Sequence, residues 1–94
     1  MHARIWLRLL WQTLICARAG EENYRIYVLV NSQTVIADEF VGSKMYPLFV
    51  QEGDNIEVHG YSELPFTVTL EDHYKPVETE TGIAVEISYT VPGS

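Results

Sequence analysis

This sequence of 94 residues contains two Glu-x-His pairs. Among its side chains, these have the types and spacing that best suit metal binding. Glu57 and His59 stand two residues apart where polar and apolar residues alternate, and Glu71 and His73 repeat that spacing. Residues two apart share one face of a strand, so two such pairs on neighbouring strands would offer nitrogen and oxygen ligands to a metal ion. Ile56 and Val58 alternate with the first pair and are expected to face the core. Glu57 and His59 are therefore expected to lie on the solvent-exposed face of the strand. We therefore expect neither a metal site nor a cofactor.

The other reactive side chains lack the partners that catalysis requires. Cys16, the one cysteine, lies in the most apolar segment, where a thiolate is disfavoured, and no second cysteine can form an internal disulfide with it. No serine has a nucleophile-elbow context, and no glycine-rich loop suits a phosphate. The sequence predicts no enzyme, no catalytic residue and no small-molecule substrate. Adjacent acidic residues fall at predicted turns or strand ends, where they are solvated and deter aggregation: Glu21-Glu22, Asp38-Glu39 and Glu71-Asp72.

The charge of the chain divides at residue 20. Six basic and 13 acidic residues give a net charge of −7, a field that repels phosphate backbones and argues against nucleic-acid binding. Residues 1–20 hold Arg4, Arg8 and Arg18 without any acid, so residues 21–94 hold three bases against all thirteen acids. The hydrophobic share of 47% is that of a globular chain and excludes a disordered polyampholyte. We predict an apolar, basic N-terminal segment, residues 1–20, and an acidic all-β domain, residues 21–94.

The acidic region is predicted to form a small antiparallel sandwich or barrel of about six strands, so that the fold class is mainly β. Alternating or β-branched stretches occur at residues 24–30, 34–37, 44–50, 56–59, 65–70 and 83–90. Turn residues such as Gly53-Asp54 separate them, and Pro47 is typical of an edge strand. Residues 71–81 are predicted to form a polar loop.

The N-terminal segment fits three interpretations. As a helix, it places Arg4, Arg8 and Gln12 in one narrow polar stripe and covers the remaining surface with apolar residues. As a long first strand, it fits period 2 nearly as well as period 3.6, although its leucines favour the helix. As a cleaved signal peptide, it would end at Ala17-Arg18-Ala19, which has the small-x-small pattern of a cleavage site. Cleavage would imply a secreted or particle-associated protein, and retention a cytoplasmic one.

The apolar surface of this segment exceeds what one small sheet can cover. We therefore predict a non-enzymatic structural or interaction module that assembles through it, by self-association or with a protein partner. No apolar run approaches the ~18 to 20 residues of a membrane span. Two alternatives stay open: an acidic inhibitor or immunity-type protein that blocks a basic surface, and a small metal-binding β protein. The residues predicted to carry assembly are Arg4, Ile5, Trp6, Arg8, Leu9, Leu10, Trp11 and Leu14.

Overall fold

A computed structural model describes residues 10–17, for which it gives the backbone, and residues 23–93 with their side chains. These residues form six antiparallel strands in one small all-β domain, which confirms the predicted mainly β architecture. Residues 23–93 hold five of these strands and not the predicted six, because the stretches 56–59 and 65–70 belong to one long strand. The described ranges include no helix, and therefore none long and apolar enough to cross a bilayer. The strands are β1 (Leu10–Ala17), β2 (Tyr24–Val30), β3 (Gln33–Phe40), β4 (Lys44–Val50), β5 (Asn55–Asp72) and β6 (Lys75–Thr90).

The long hairpin of β5 and β6 joins two four-stranded halves. The first part of β5 pairs with β2 and with the second part of β6, and β3 lies beyond β2. The second part of β5 pairs with β1 and with the first part of β6, and β4 lies beyond β1. We call these sets the first half (β3-β2-β5-β6) and the second half (β4-β1-β5-β6). Within the described residues, β3, β4 and β6 each have a strand neighbour on one side only.

β5 bends between the two halves at residues 62–65. These four residues lie opposite the single residue Ile83 of β6, whereas the pairing is regular immediately before and after them. Pro65, which has no backbone N–H to give to a ladder, stands in this interruption. After the bend, the ring of Phe66 lies over Gly60, where an added Cβ would be 2.5 Å from the ring atom Cζ. Glycine is therefore the residue that fits at position 60.

One apolar core is shared by both halves. Tyr24 of β2 contacts Phe66 of β5, with ring centroids 4.8 Å apart, and Phe40 of β3 contacts Tyr46 of β4, with centroids 5.6 Å apart. Along most strands buried residues alternate with exposed ones, as expected for a sheet with one face in the core. The buried apolar side chains are Tyr24, Ile26, Val28, Tyr46, Leu48, Val50, Ile56, Val58, Phe66, Val68, Leu70, Val85, Ile87 and Val91.

Residues 71–81, predicted to be a loop, instead complete β5 and begin β6. The two strands meet at a two-residue turn, His73-Tyr74, in which both residues have positive φ. The turn Asn31-Ser32 between β2 and β3 has the same form, which is the type I′ pattern that suits the twist of a hairpin. The loop prediction was wrong because the first part of β6 is an edge strand that keeps most side chains in solvent. No apolar alternation therefore marks it in the sequence.

The strand β1 occupies residues 10–17, as the alternative interpretation of the N-terminal segment predicted, and these residues do not form part of a helix. It lies between β4 and β5, with Leu14 paired to Tyr46 on one side and to Leu70 on the other. Backbone pairing on both sides outweighs the modest helix preference of its leucines. The remainder of the predicted helix, residues 1–9, and most of the predicted cleavage site lie outside the described residues.

Candidate functional site: an apolar interaction surface

The edge strand β4 exposes an apolar row on its outer side. Its buried residues alternate with Met45, Pro47 and Phe49, and the side chains of Met45 and Phe49 are 64% and 61% exposed. The outward positions of β5 are different, since they include Glu57 and His59. An outer sheet face is normally polar, and contiguous exposed apolar side chains such as those of β4 are typical of interaction surfaces.

An apolar groove of about 250 Å³ lies beside this row, between β3 and β4. Val35, which is 54% exposed, stands on its β3 side, and the buried Leu48 stands on its β4 side. No charged or hydroxyl-bearing side chain is among its lining residues. The groove can therefore accept apolar side chains, and the polar groups exposed along it belong to the backbone. The residues that line it are Val30, Val35, Ile36, Pro47, Leu48, Phe49 and Val50.

The two strands that flank the groove are both blunted against the addition of a further strand. Pro47 removes one backbone donor from β4. In β3, the register shifts after Val28, which leaves Val35 as an extra residue opposite β2. Prolines and bulges at edges limit indiscriminate backbone pairing. Binding in this groove therefore depends on side chains more than on a continuous hydrogen-bond ladder.

A polar clamp fixes the crossing from β3 to β4. The carboxylate of Asp38 accepts hydrogen bonds from Nζ of Lys44 at 2.7 Å and from the hydroxyl of Tyr46 at 2.8 Å. The hydrogen bond from Lys44, followed by that from Tyr46, lowers the pKa of Asp38. Tyr24 donates a hydrogen bond to the carbonyl oxygen of Gly42 in the same connection. The contacts of Asp38 connect β3 to β4 a few residues away from the groove.

The residues predicted to carry assembly fall partly within the described structure. Leu10, Trp11 and Leu14 belong to β1, where the backbone register pairs Trp11 with Phe49 of β4. Arg4, Ile5, Trp6, Arg8 and Leu9 lie outside the described residues.

Sequence reasoning missed the apolar row and the groove. A signal was present, because residues 45–50 are six apolar or aromatic residues in succession. A strand with one face in water would alternate instead. Val35 and Ile36 gave no comparable signal, since their exposure follows from the bulge in β3 and from its edge position.

The four weak candidates for metal ligands do not converge. Glu57 and His59 lie on β5 in the first half, where Nδ1 of His59 is 3.6 Å from a carboxylate oxygen of Glu86. Glu71 and His73 lie at the far end of the hairpin in the second half. Among the side chains of residues 23–93, no group of three or more His, Cys, Asp and Glu is arranged to hold a metal ion. The four residues therefore lie in two separate places on the surface.

No protein-family model, curated protein or solved structure matches this chain. No relative therefore assigns a role to any residue of this chain.

Proposed function

We propose that this protein is a non-enzymatic interaction module that assembles with further copies of itself through the side of the sheet that holds β4 and β1. The exposed apolar row of Met45, Pro47 and Phe49 carries the proposal. Contiguous apolar side chains on the surface of a small domain are typical of interaction sites, whereas single ones are unremarkable. The neighbouring groove is also apolar, so the surface supplies contacts and no reactive groups.

The energetics of this surface favour association with a partner larger than a single strand. Full burial of an exposed Met45 or Phe49 side chain contributes about 1.5–3 kcal/mol, and about 1.4 kcal/mol corresponds to a tenfold change in dissociation constant. A stable interface normally covers ~800 Å² on each partner, more than one short row provides. The interface must therefore include neighbouring structure. β1 is the strand next to β4, and its backbone register pairs Ile15 with Met45 and Trp11 with Phe49.

The proposal is tested by the double substitution Met45→Ser with Phe49→Ser. Both side chains are mostly exposed, so the monomer fold is expected to survive, which circular dichroism checks. We expect the dissociation constant of the assembly, measured by sedimentation velocity and native mass spectrometry, to rise at least tenfold. Leu64→Ser with Ile83→Ser is the matched control, because these residues are similarly exposed but lie at the bend of the β5–β6 hairpin.

Two results would overturn the proposal. One is a natural chain that stays monomeric at every micromolar concentration. The other is an oligomer distribution that is unchanged by Met45→Ser with Phe49→Ser while the control behaves identically.

A further inference from the structure

We infer that the groove between β3 and β4 receives residues 3–9 of a second copy of this chain. The inference rests on the proposed function, because it specifies which part of the neighbouring copy completes the interface. In this inference, the apolar groove of one copy binds the apolar segment that precedes β1 in another copy.

The lining of the groove defines the chemistry of its occupant. All seven lining residues are apolar, and the volume of about 250 Å³ suits the side chains of a short segment and not a folded domain. Pro47 and the bulge at Val35 interrupt the backbone edges on both sides. An occupant held mainly by apolar side chains therefore fits better than one held by regular strand pairing.

Residues 3–9 have the required composition and charge. They include Ile5, Trp6, Leu7 and Leu9, and their two arginines are accompanied by no acid. Residues 23–93 hold three bases against eleven acids, so the folded part of a second copy attracts this segment electrostatically. Seven extended residues reach ~23 Å, and the four groove-lining residues of β4 span ~13 Å. The segment is therefore long enough to cover the groove.

The direction of β1 favours a second copy over the same chain. Leu10, the first residue of β1, pairs with Val50, which lines the groove. β1 lies on one side of β4, however, and the groove lies on the other. A segment that continued β1 would leave past the end of β4, and it could reach its own groove only by reversing around the turn at residues 51–54. A neighbouring copy receives it without that reversal.

This arrangement makes the contact heterologous. Each copy gives one segment and accepts one, so the copies form a closed ring where the rotation closes and an open chain where it does not.

The experiment uses the full chain with p-benzoylphenylalanine in place of Val35. Chains labelled with ¹⁵N and unlabelled chains are mixed in equal amounts, irradiated and mapped by mass spectrometry. We expect cross-links from position 35 to residues 3–9, about half of them between a labelled and an unlabelled chain. The same photoreactive residue in place of Ile83, which is 55% exposed and lies at the bend, serves as the control and should give no such cross-link.

A variant of the segment provides the second arm. Ile5→Asp with Leu7→Asp leaves every described residue unchanged and should raise the dissociation constant at least tenfold, whereas His2→Asp should not. Cross-links only between like-labelled chains would place the segment in its own groove and overturn the inference. Assembly without any cross-link to residues 3–9 would also overturn it while leaving the proposed function intact. A chain that never assembles would overturn both.

Discussion

The ring of Phe66 lies directly over the backbone of Gly60, in the same strand and on the other side of its bend. This contact brings the two parts of β5 together around one core, because Phe66 also packs against Tyr24 of β2. The absence of a side chain at position 60 is thus a requirement of the fold.

Gly60→Ala should destabilise the protein by about 1–3 kcal/mol, because the added methyl group would overlap Cζ of Phe66. Urea denaturation followed by tyrosine and tryptophan fluorescence measures the loss. Gly82→Ala is the matched control, since the nearest atom to its added Cβ is 3.7 Å away, an ordinary contact distance. Equal effects of the two substitutions would contradict the close packing of Phe66 on Gly60.

The clamp at Asp38 should make stability depend on acid pH. Its pKa is lowered in the folded chain, so its stabilising effect is present above the pKa of an unfolded aspartate, ~3.9, and is lost as the pH falls through the lower folded value. Asp38→Asn should lower the melting temperature at pH 7, and the difference from the natural chain should shrink below about pH 4. Thermal unfolding between pH 2.5 and 7 tests this, with Glu63→Gln as an exposed comparison. A difference that stays constant with pH would refute the clamp.

Asp54 links two connections between strands to the residue that follows β6, at one end of the sheet. Its carboxylate accepts hydrogen bonds from the side-chain amide of Asn31 at 2.9 Å and from the backbone N–H of Gln51 at 2.8 Å, and its carbonyl oxygen accepts one from Val91. Asp54→Ala should cost about 1–3 kcal/mol of unfolding free energy, because two hydrogen bonds are lost. Asp54→Asn keeps the shape and one acceptor and should cost less. Chemical denaturation of both variants checks the order, and an equal cost would argue against the carboxylate contacts.

A substitution in the hairpin turn at His73-Tyr74 should increase the stability of the protein. Tyr74 has a φ of 66° and its side chain is 83% exposed, a backbone conformation that disfavours a bulky residue. Tyr74→Gly should therefore raise the free energy of unfolding by about 0.5–1 kcal/mol. The substitution removes the energetic penalty of the left-handed conformation, and the greater conformational entropy of glycine in the unfolded chain offsets part of that gain. Tyr74→Ala removes the ring and keeps the penalty, so it should give no such gain. A Tyr74→Gly chain that is less stable than Tyr74→Ala would disprove this account.

Much of the fold is predictable from the sequence because alternation reports directly on a half-buried strand. Residues 24–30 and 56–59 alternate clearly, and both stretches lie in strands with the expected buried residues. Gly53-Asp54 was predicted as a turn, and Gly53 has the positive φ that favours glycine there. The first part of β6 was missed, because an edge strand in solvent needs no apolar alternation. The choice of helix for residues 10–17 followed local propensity, which the pairing with β4 and β5 overrides.

The candidate site was harder to predict than the fold. The sequence indicates that the N-terminal segment has more apolar surface than one small sheet can cover. It does not indicate that Trp11 pairs with Phe49 or that Val35 lies across a groove from Leu48. These relationships depend on strand order, and strand order is set by long-range packing that a single sequence does not encode locally.

The position of β1 in the sheet also determines when the domain can fold during synthesis. Leu14 of β1 pairs with Leu70 of β5, about 55 residues later in the chain. At a translation rate of roughly 5–20 residues per second, β1 waits for several seconds, about 3–11 s, before its second partner exists. Until β5 is made, β4 is the one of its two partner strands that β1 can pair with, although the N-terminal segment carries two tryptophans and several leucines. Pairings of such long range are also formed slowly by the completed chain. We therefore expect high-level expression to favour aggregation of the unfinished chain over that of the folded domain, which a pulse-chase measurement of insoluble nascent chains would check.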